Sequence, residues 1–180
     1  MKRPISLTPQ QISMIANETS LEMEHWAKKS NLPNYTSQWF KCARDEAFLS
    51  NFHTAKMGCV FVYKNHVIGR GHNQHKTDPL QKEYNQKYRD WTATDEFSQI
   101  CGHTLHAEIA ALKSISYPTA QQTVWKRVQV YVYRVGLGLE SYSGLALPCQ
   151  ACANALSDIG IREVFYTTGH VDKPFGRCDL

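Results

Sequence analysis

Hydrophobic positions along the chain recur at two periods, one helical and one extended. Thr8-Pro9 reads as an N-cap followed by a first-turn proline, and Ile12, Ile15 and Met23 lie downstream, so a helix is predicted over residues 9–29. The stretch "SNLPNYTS" breaks it. Ser37 is then the expected cap of a second helix through "QWFKCARDEAFLSNF", with Phe40, Ala43, Ala47 and Phe48 on its apolar face. The pattern turns extended in "KMGCVFVYKNHVIGRGHN", where residues 59–63 and 66–69 read as two strands joined by a tight Lys64-Asn65 turn. Residues 74–100 are polar and form a long connection. Asp78-Pro79 resembles a cap and first-turn proline, and Tyr84, Tyr88 and Trp91 follow at i, i+4 and i+7, so a short helix is expected inside it.

Helical spacing returns in "LHAEIAALKSI", where Leu105, Ile109 and Leu112 share a face, and is expected to stop before Tyr117-Pro118. "RVQVYVYRV" is apolar on both faces, as in a buried strand. A loop over residues 136–147 leads to a helix, "CQACANALSDIG", that ends on Gly160, and "REVFYTT" is the last clear strand. Helices linking the later strands imply an α/β layered domain in which those strands run parallel.

The totals narrow the class without naming a function. The 180 residues suit one domain with a terminal arm. A 42% hydrophobic and 20% charged composition is that of a globular chain, and no apolar run approaches membrane-spanning length. The basic start "MKRPISLTPQ" is not followed by an apolar stretch, so no secretory signal is expected and the cytoplasm is the expected compartment. A net charge of +4 permits a phosphate-bearing ligand without demanding nucleic acid. Of the six cysteines, most are expected to be small buried hydrophobes; the exception is the Cys149–Cys152 pair.

Two helices carry metal-ligand residue types at their starts: His106 and Glu108 in one, Cys149 and Cys152 in the other. If both follow neighbouring parallel strands, their N-termini meet at the carboxyl edge of the sheet, where open α/β sheets place their sites. One imidazole and two thiolates leave the fourth tetrahedral position of zinc for water, the arrangement of a catalytic site. Glu108 is then better used as a proton carrier than as a ligand. A structural zinc site would need Glu108 as an unusual fourth ligand, and a redox-active cysteine pair would leave the His-x-Glu unexplained.

The pairing of His106-Ala107-Glu108 with Pro148-Cys149-Gln150-Ala151-Cys152 resembles the H-x-E and P-C-x-x-C motifs of zinc-dependent nucleobase deaminases. Over residues 38–168 the chain looks like the cytidine deaminase-like superfamily, and most like its deoxycytidylate (dCMP) deaminase branch. The resemblance implies a three-layer α/β/α fold with a mixed central sheet. It divides the chain into an N-terminal helical extension (1–36) and a deaminase domain (37–180) with a 74–100 insert. His106, Cys149 and Cys152 would hold Zn²⁺, which needs no organic cofactor beside it. Water activated at the metal would attack C4 of a cytosine nucleotide, with Glu108 carrying protons to N3 and to the departing ammonia. The backbone N–H of Ala107 would meet the base carbonyl, and Asn73 of "GHN" would hydrogen-bond sugar or base.

The implied partner is a small cytosine nucleotide such as dCMP, within a homo-oligomer and away from membranes; a polynucleotide substrate (single-stranded DNA or tRNA) is the alternative. Leu145 stands where many relatives carry Ser or Thr, and Ala110 where many dCMP deaminases carry Asn, which leaves the substrate's identity open. His72, His75, Cys101 and His103 bracket the insert, but their loose spacing favours exposed histidines over a second zinc site. The tyrosine and tryptophan stripe is expected to pack the insert helix. Lys76, Lys82, Lys87 and Arg89 among it read as a solvated face.

Overall fold

In the computed structural model, residues 35–53, 55–88, 104–138, 141–170 and 172–180 are described, the side chains of 35–37 and 137–142 excepted. The helix expected over residues 9–29 lies outside them. The hairpin forms as expected from strands β1 (Met57–Tyr63) and β2 (His66–His72). Lys64 and Asn65 at its tip take φ of 49° and 63°, the pair of positive angles a two-residue type I′ turn requires. On its other side β1 pairs antiparallel with β5 (Gln129–Gly138), which pairs parallel with β7 (Glu163–Thr167). With a last strand β8 (Phe175–Asp179), the sheet order is β2-β1-β5-β7-β8, and β6 (Ser141–Gly144) is folded back on the far end of β5. The sheet is therefore mixed, and β2 and β5, each antiparallel to β1, point the same way.

Alternation along the strands divides the core into two faces. Val60, Val62, Tyr131, Tyr133 and Phe165 face helix α1 (Tyr35–Phe48) through its Trp39, Phe40, Ala43 and Ala47. Cys59, Phe61, Val130, Val132 and Val164 face the opposite side, where Ala107 and Ala111 of helix α3 (Ala107–Lys113) and Leu156 of helix α5 (Gln150–Asp158) pack. This is the expected three-layer α/β/α arrangement. The α3 layer sits very close to the sheet. A Cβ on Gly71 of β2 would lie 2.2 Å from the Ala111 backbone nitrogen, so only glycine admits the helix there.

Several elements depart from expectation. Helix α1 begins at Tyr35, which puts Ser37 inside its first turn rather than at its cap. The loop expected from Gly136 is a hairpin, because β5 runs on to Gly138 and β6 returns along it. The polar connection holds a strand, β3 (Gln74–Thr77), that pairs with the two-residue β4 (Thr104–Leu105) just ahead of α3. Pro118 does not merely end a helix; it sits in the first turn of a new one, α4 (Tyr117–Gln122), where its missing N–H costs nothing. The last strand, β8, adds an antiparallel edge to β7, and Phe175 stacks on Phe40 with ring centroids 4.2 Å apart. The expected insert helix is present as α2 (Pro79–Tyr88). Asp78 caps it, its carboxylate accepting from the backbone N–H groups of Leu80 at 3.0 Å and Gln81 at 3.3 Å.

Candidate metal centre

Helices α3 and α5 follow the carboxyl ends of β2 and β5, through the β3–α2–β4 excursion in the first case and β6 in the second. The two strands are parallel as expected but are not neighbours, since β1 runs between them. His106 and Cys149 each occupy the residue just before a helix, with extended backbone (ψ 157° and 161°), and neither side chain caps its own helix. Both turn instead toward a common point. The Nδ1 atom of His106 lies 3.5 Å from the Cys149 sulfur and 3.4 Å from the Cys152 sulfur. Among the described residues this is the one cluster of three potential ligands, all within 4.8 Å of one another.

Zinc fits this donor set. Bonds of about 2.3 Å to sulfur and about 2.0 Å to nitrogen, at tetrahedral angles, separate the two donors by about 3.5 Å. A Cys₂His set is complete enough to hold the ion and leaves one position for water. The hydrogen bond from Cys152 holds the Cys149 thiol well below its ordinary value, while Cys152 itself is pushed well up by that hydrogen bond and by its burial. The starts of two helices add positive potential that favours thiolate on both. Cys59, by contrast, is fully buried among hydrophobic side chains with its thiol pushed up by burial, the inert role expected of it.

Glu108 is the second residue of α3, 2% exposed, and outside the three-ligand cluster. Burial pushes its carboxyl up, and its nearest polar company is the histidine and the two cysteines. Ala107 is buried, at the first residue of α3, where backbone N–H groups have no partner within the helix.

Asn73 follows β2 directly and is also buried, but most of its amide is engaged. Its Oδ1 accepts from the Met57 N–H at 2.8 Å and the Ser50 hydroxyl at 2.6 Å, and its Nδ2 donates to the Ala55 carbonyl at 2.6 Å. One amide N–H is left over. Asn73 thus fastens the segment after α1 to the carboxyl edge of the sheet.

The insert residues sort cleanly. Tyr84 donates its hydroxyl to Asp158 at 2.8 Å, tying α2 to α5, and stacks on Tyr88 at 5.9 Å; the stripe is packing, with Trp91 outside the described residues. Tyr84 is consequently pushed up to about 12 by that hydrogen bond. Lys76, Lys82 and Lys87 are exposed, and Lys87 lies over the Tyr88 ring at 4.9 Å; Arg89 is outside the described residues. His75 is exposed and stacked on Phe52 at 3.7 Å, while His72 is half-buried rather than exposed, its Nδ1 without a partner. Cys101 and His103 lie outside the described residues.

The sequence did not point to Gln81. It is fully buried on α2, and its Oε1 accepts the His106 backbone N–H at 3.1 Å.

Residues 33–168 match the family described as the cytidine and deoxycytidylate deaminase zinc-binding region. No curated protein matches the sequence. Among solved structures, the chain is similar to the dCMP deaminase from the cyanophage S-TIM5. The form in complex with dCMP and dUMP is 18% identical over 77% of this chain and 84% of that one, TM-score 0.47. The apo form is 17% identical over 76% and 84%, TM-score 0.45. RibD from Acinetobacter baumannii, form 2, is 16% identical over 83% of this chain and 28% of its own length, TM-score 0.35.

Proposed function

From the premise that the chain belongs to the cytidine and deoxycytidylate deaminase zinc-binding family, we propose that it hydrolyses the 4-amino group of a cytosine mononucleotide, converting dCMP or a close analogue to the uracil form. The observation that carries the reading is a buried carboxylate, Glu108, set beside a His-Cys-Cys zinc centre without belonging to it. Bound zinc supplies a water whose pKa is lowered toward neutrality. The chain's own groups do the rest. Glu108 would take one proton from that water and deliver it to N3 as the water oxygen bonds to C4, then take the second proton from that oxygen and pass it to the amino group, which leaves as ammonia when the C4–N bond breaks. Cytosine plus water gives uracil plus ammonia, so Glu108 ends as it began. Its burial favours this role, because a carboxyl raised from its ordinary range holds a proton long enough to hand it on. The Ala107 N–H takes the base carbonyl, and the remaining Asn73 N–H takes the sugar or base.

Two observations favour a mononucleotide over a polynucleotide. Tyr84 and Tyr88 are committed to Asp158 and to each other, which removes them as a base-stacking platform. The net charge of +4 is small for a chain that must neutralise a run of phosphates. Incubation with dCMP, CMP, deoxycytidine, dCTP and a cytosine-containing oligonucleotide, with ammonia measured, tests the proposal. Turnover of a mononucleotide supports it, and turnover of the oligonucleotide alone overturns it in favour of the polynucleotide reading.

A further inference from the structure

Helix α2 lies in the insert, on neither of the segments that supply metal ligands, yet its best-buried side chains are amides. Gln81 and Asn85, one turn apart, are both 0% exposed, whereas Leu80 and Tyr84 beside them are only partly covered. A buried primary amide is unfavourable unless its donors and acceptor are matched. Those of Gln81 are matched by Asn85 on its own helix and by the backbone of His106 at the metal centre. Oε1 accepts the His106 N–H at 3.1 Å, and Nε2 donates to Asn85 Oδ1 at 3.0 Å. The amide also lies near the Cys152 side chain. The orientation of the amide is fixed by this set, since reversing it would point N–H at N–H on His106.

We infer that Gln81 is a positioning residue of the zinc centre, its buried amide holding the backbone of the histidine ligand in place beside Cys152. His106 and Cys152 come from different helices, and no strand hydrogen bonds join them. The bond to the His106 N–H sets the backbone from which the imidazole projects. Such outer partners of metal ligands typically contribute about 10–100-fold in metal affinity. The inference rests on the zinc centre and not on the proposed substrate, so it stands or falls separately from the dCMP assignment.

Gln81→Met keeps the side-chain length and removes the hydrogen bonds. Zinc affinity measured by competition with a chromophoric chelator should fall about 10–100-fold, and the visible bands of the Co²⁺-substituted protein should shift, since they report the geometry and charge of the thiolate ligands. Tyr84→Phe is the control. It breaks the Tyr84–Asp158 hydrogen bond between α2 and α5 and should lower the melting temperature while leaving zinc affinity and cobalt bands as in the parent. If Gln81→Met binds zinc within about twofold of the parent, or if Tyr84→Phe weakens zinc equally, the inference is overturned and Gln81 merely docks a helix. Should Gln81→Met not fold, Asn85→Ala, which unseats the amide without touching it, decides. Weaker zinc binding with shifted cobalt bands supports the inference, and parental values in both overturn it.

Discussion

Gly71→Ala adds a single methyl group where helix α3 crosses strand β2. The added carbon would stand 2.2 Å from the Ala111 nitrogen, 2.5 Å from the Ala110 carbonyl carbon and 2.7 Å from the Ala110 Cβ. Two of these are backbone atoms, so no rotamer change relieves the overlap. Restoring an ordinary 3.4 Å contact requires helix and strand to part by about 1.2 Å. The strand resists, because residues 66–72 are hydrogen-bonded to β1. Overpacking of this kind costs about 1–3 kcal/mol, and a backbone clash belongs at the upper end. At roughly 2–4 °C per kcal/mol for a chain of this size, the melting temperature should fall by about 6–12 °C. The displaced helix carries His106 and Glu108 away from Cys149 and Cys152. A misplacement near 1 Å at a reacting centre costs about 100-fold in rate, so ammonia release should drop on that scale in whatever fraction remains folded. Gly144→Ala is the matched control, since its methyl would meet only the flexible Arg134 side chain at 3.0 Å. If Gly71→Ala melts and turns over like Gly144→Ala, the argument that this glycine sets the helix position is wrong.

Glu108→Gln should keep one equivalent of zinc, measured by elemental analysis, and lose turnover by about 10²–10⁴-fold; loss of the metal instead would make Glu108 a ligand. Asp78→Ala removes the α2 cap and the ion pair with Lys113, and should cost about 0.5–2 kcal/mol in a melting curve. Its pH dependence has a definite sign. Burial alone would raise the Asp78 carboxyl, but hydrogen bonds from Lys113 and from the Gln81 and Leu80 N–H groups hold it below its ordinary value. Its contribution is thus fully present above the unfolded value near about 4 and is lost as pH falls through the lower folded value. Parent and Asp78→Ala should therefore differ in melting temperature at pH 7 and converge in strong acid.

The zinc ligands were legible because chemistry fixes both residue type and spacing: a histidine and a Cys-x-x-Cys at two helix starts have few other uses. Gln81 was not, because a glutamine on a polar helix looks solvent-facing, and here the helix turns its amides inward and leaves Leu80 and Tyr84 half covered. The central strands were legible from their runs of apolar residues. Strand β8 was not: it is an edge strand with one buried residue, Phe175, and it is held by its ladder to β7 and by Arg177 pairing with Glu163 at 3.0 Å, partners distant in sequence. The hairpin β5–β6 was masked by glycines at 136 and 138 that read as loop punctuation. Asn73 was legible as a position but not in its bonding. The groups that occupy it, on Ser50, Ala55 and Met57, lie 16 to 23 residues away along the chain.

Charge links the metal to the stability of this part of the fold. Cys149, Cys152 and Glu108 share one pocket, and two of the three are 2% exposed or less. Ionised together they would put three negative charges in a low-dielectric space, which proteins tolerate only with compensation. Zn²⁺ would cancel two of those charges, leaving Glu108 for the proton transfers of the proposed function. Metal binding is then also a folding contribution for the starts of α3 and α5, because a ligand bound only by the native state stabilises it by RT ln(1 + [L]/Kd). Chelation should accordingly lower the melting temperature and loosen α3 and α5 before the sheet, as read by faster amide exchange at residues 107–113 and 150–158 than in β1 and β5. Glu108→Gln, with one buried charge fewer, should lose less melting temperature on chelation than the parent. An equal loss in both proteins would mean that the carboxylate is not part of the charge the metal compensates.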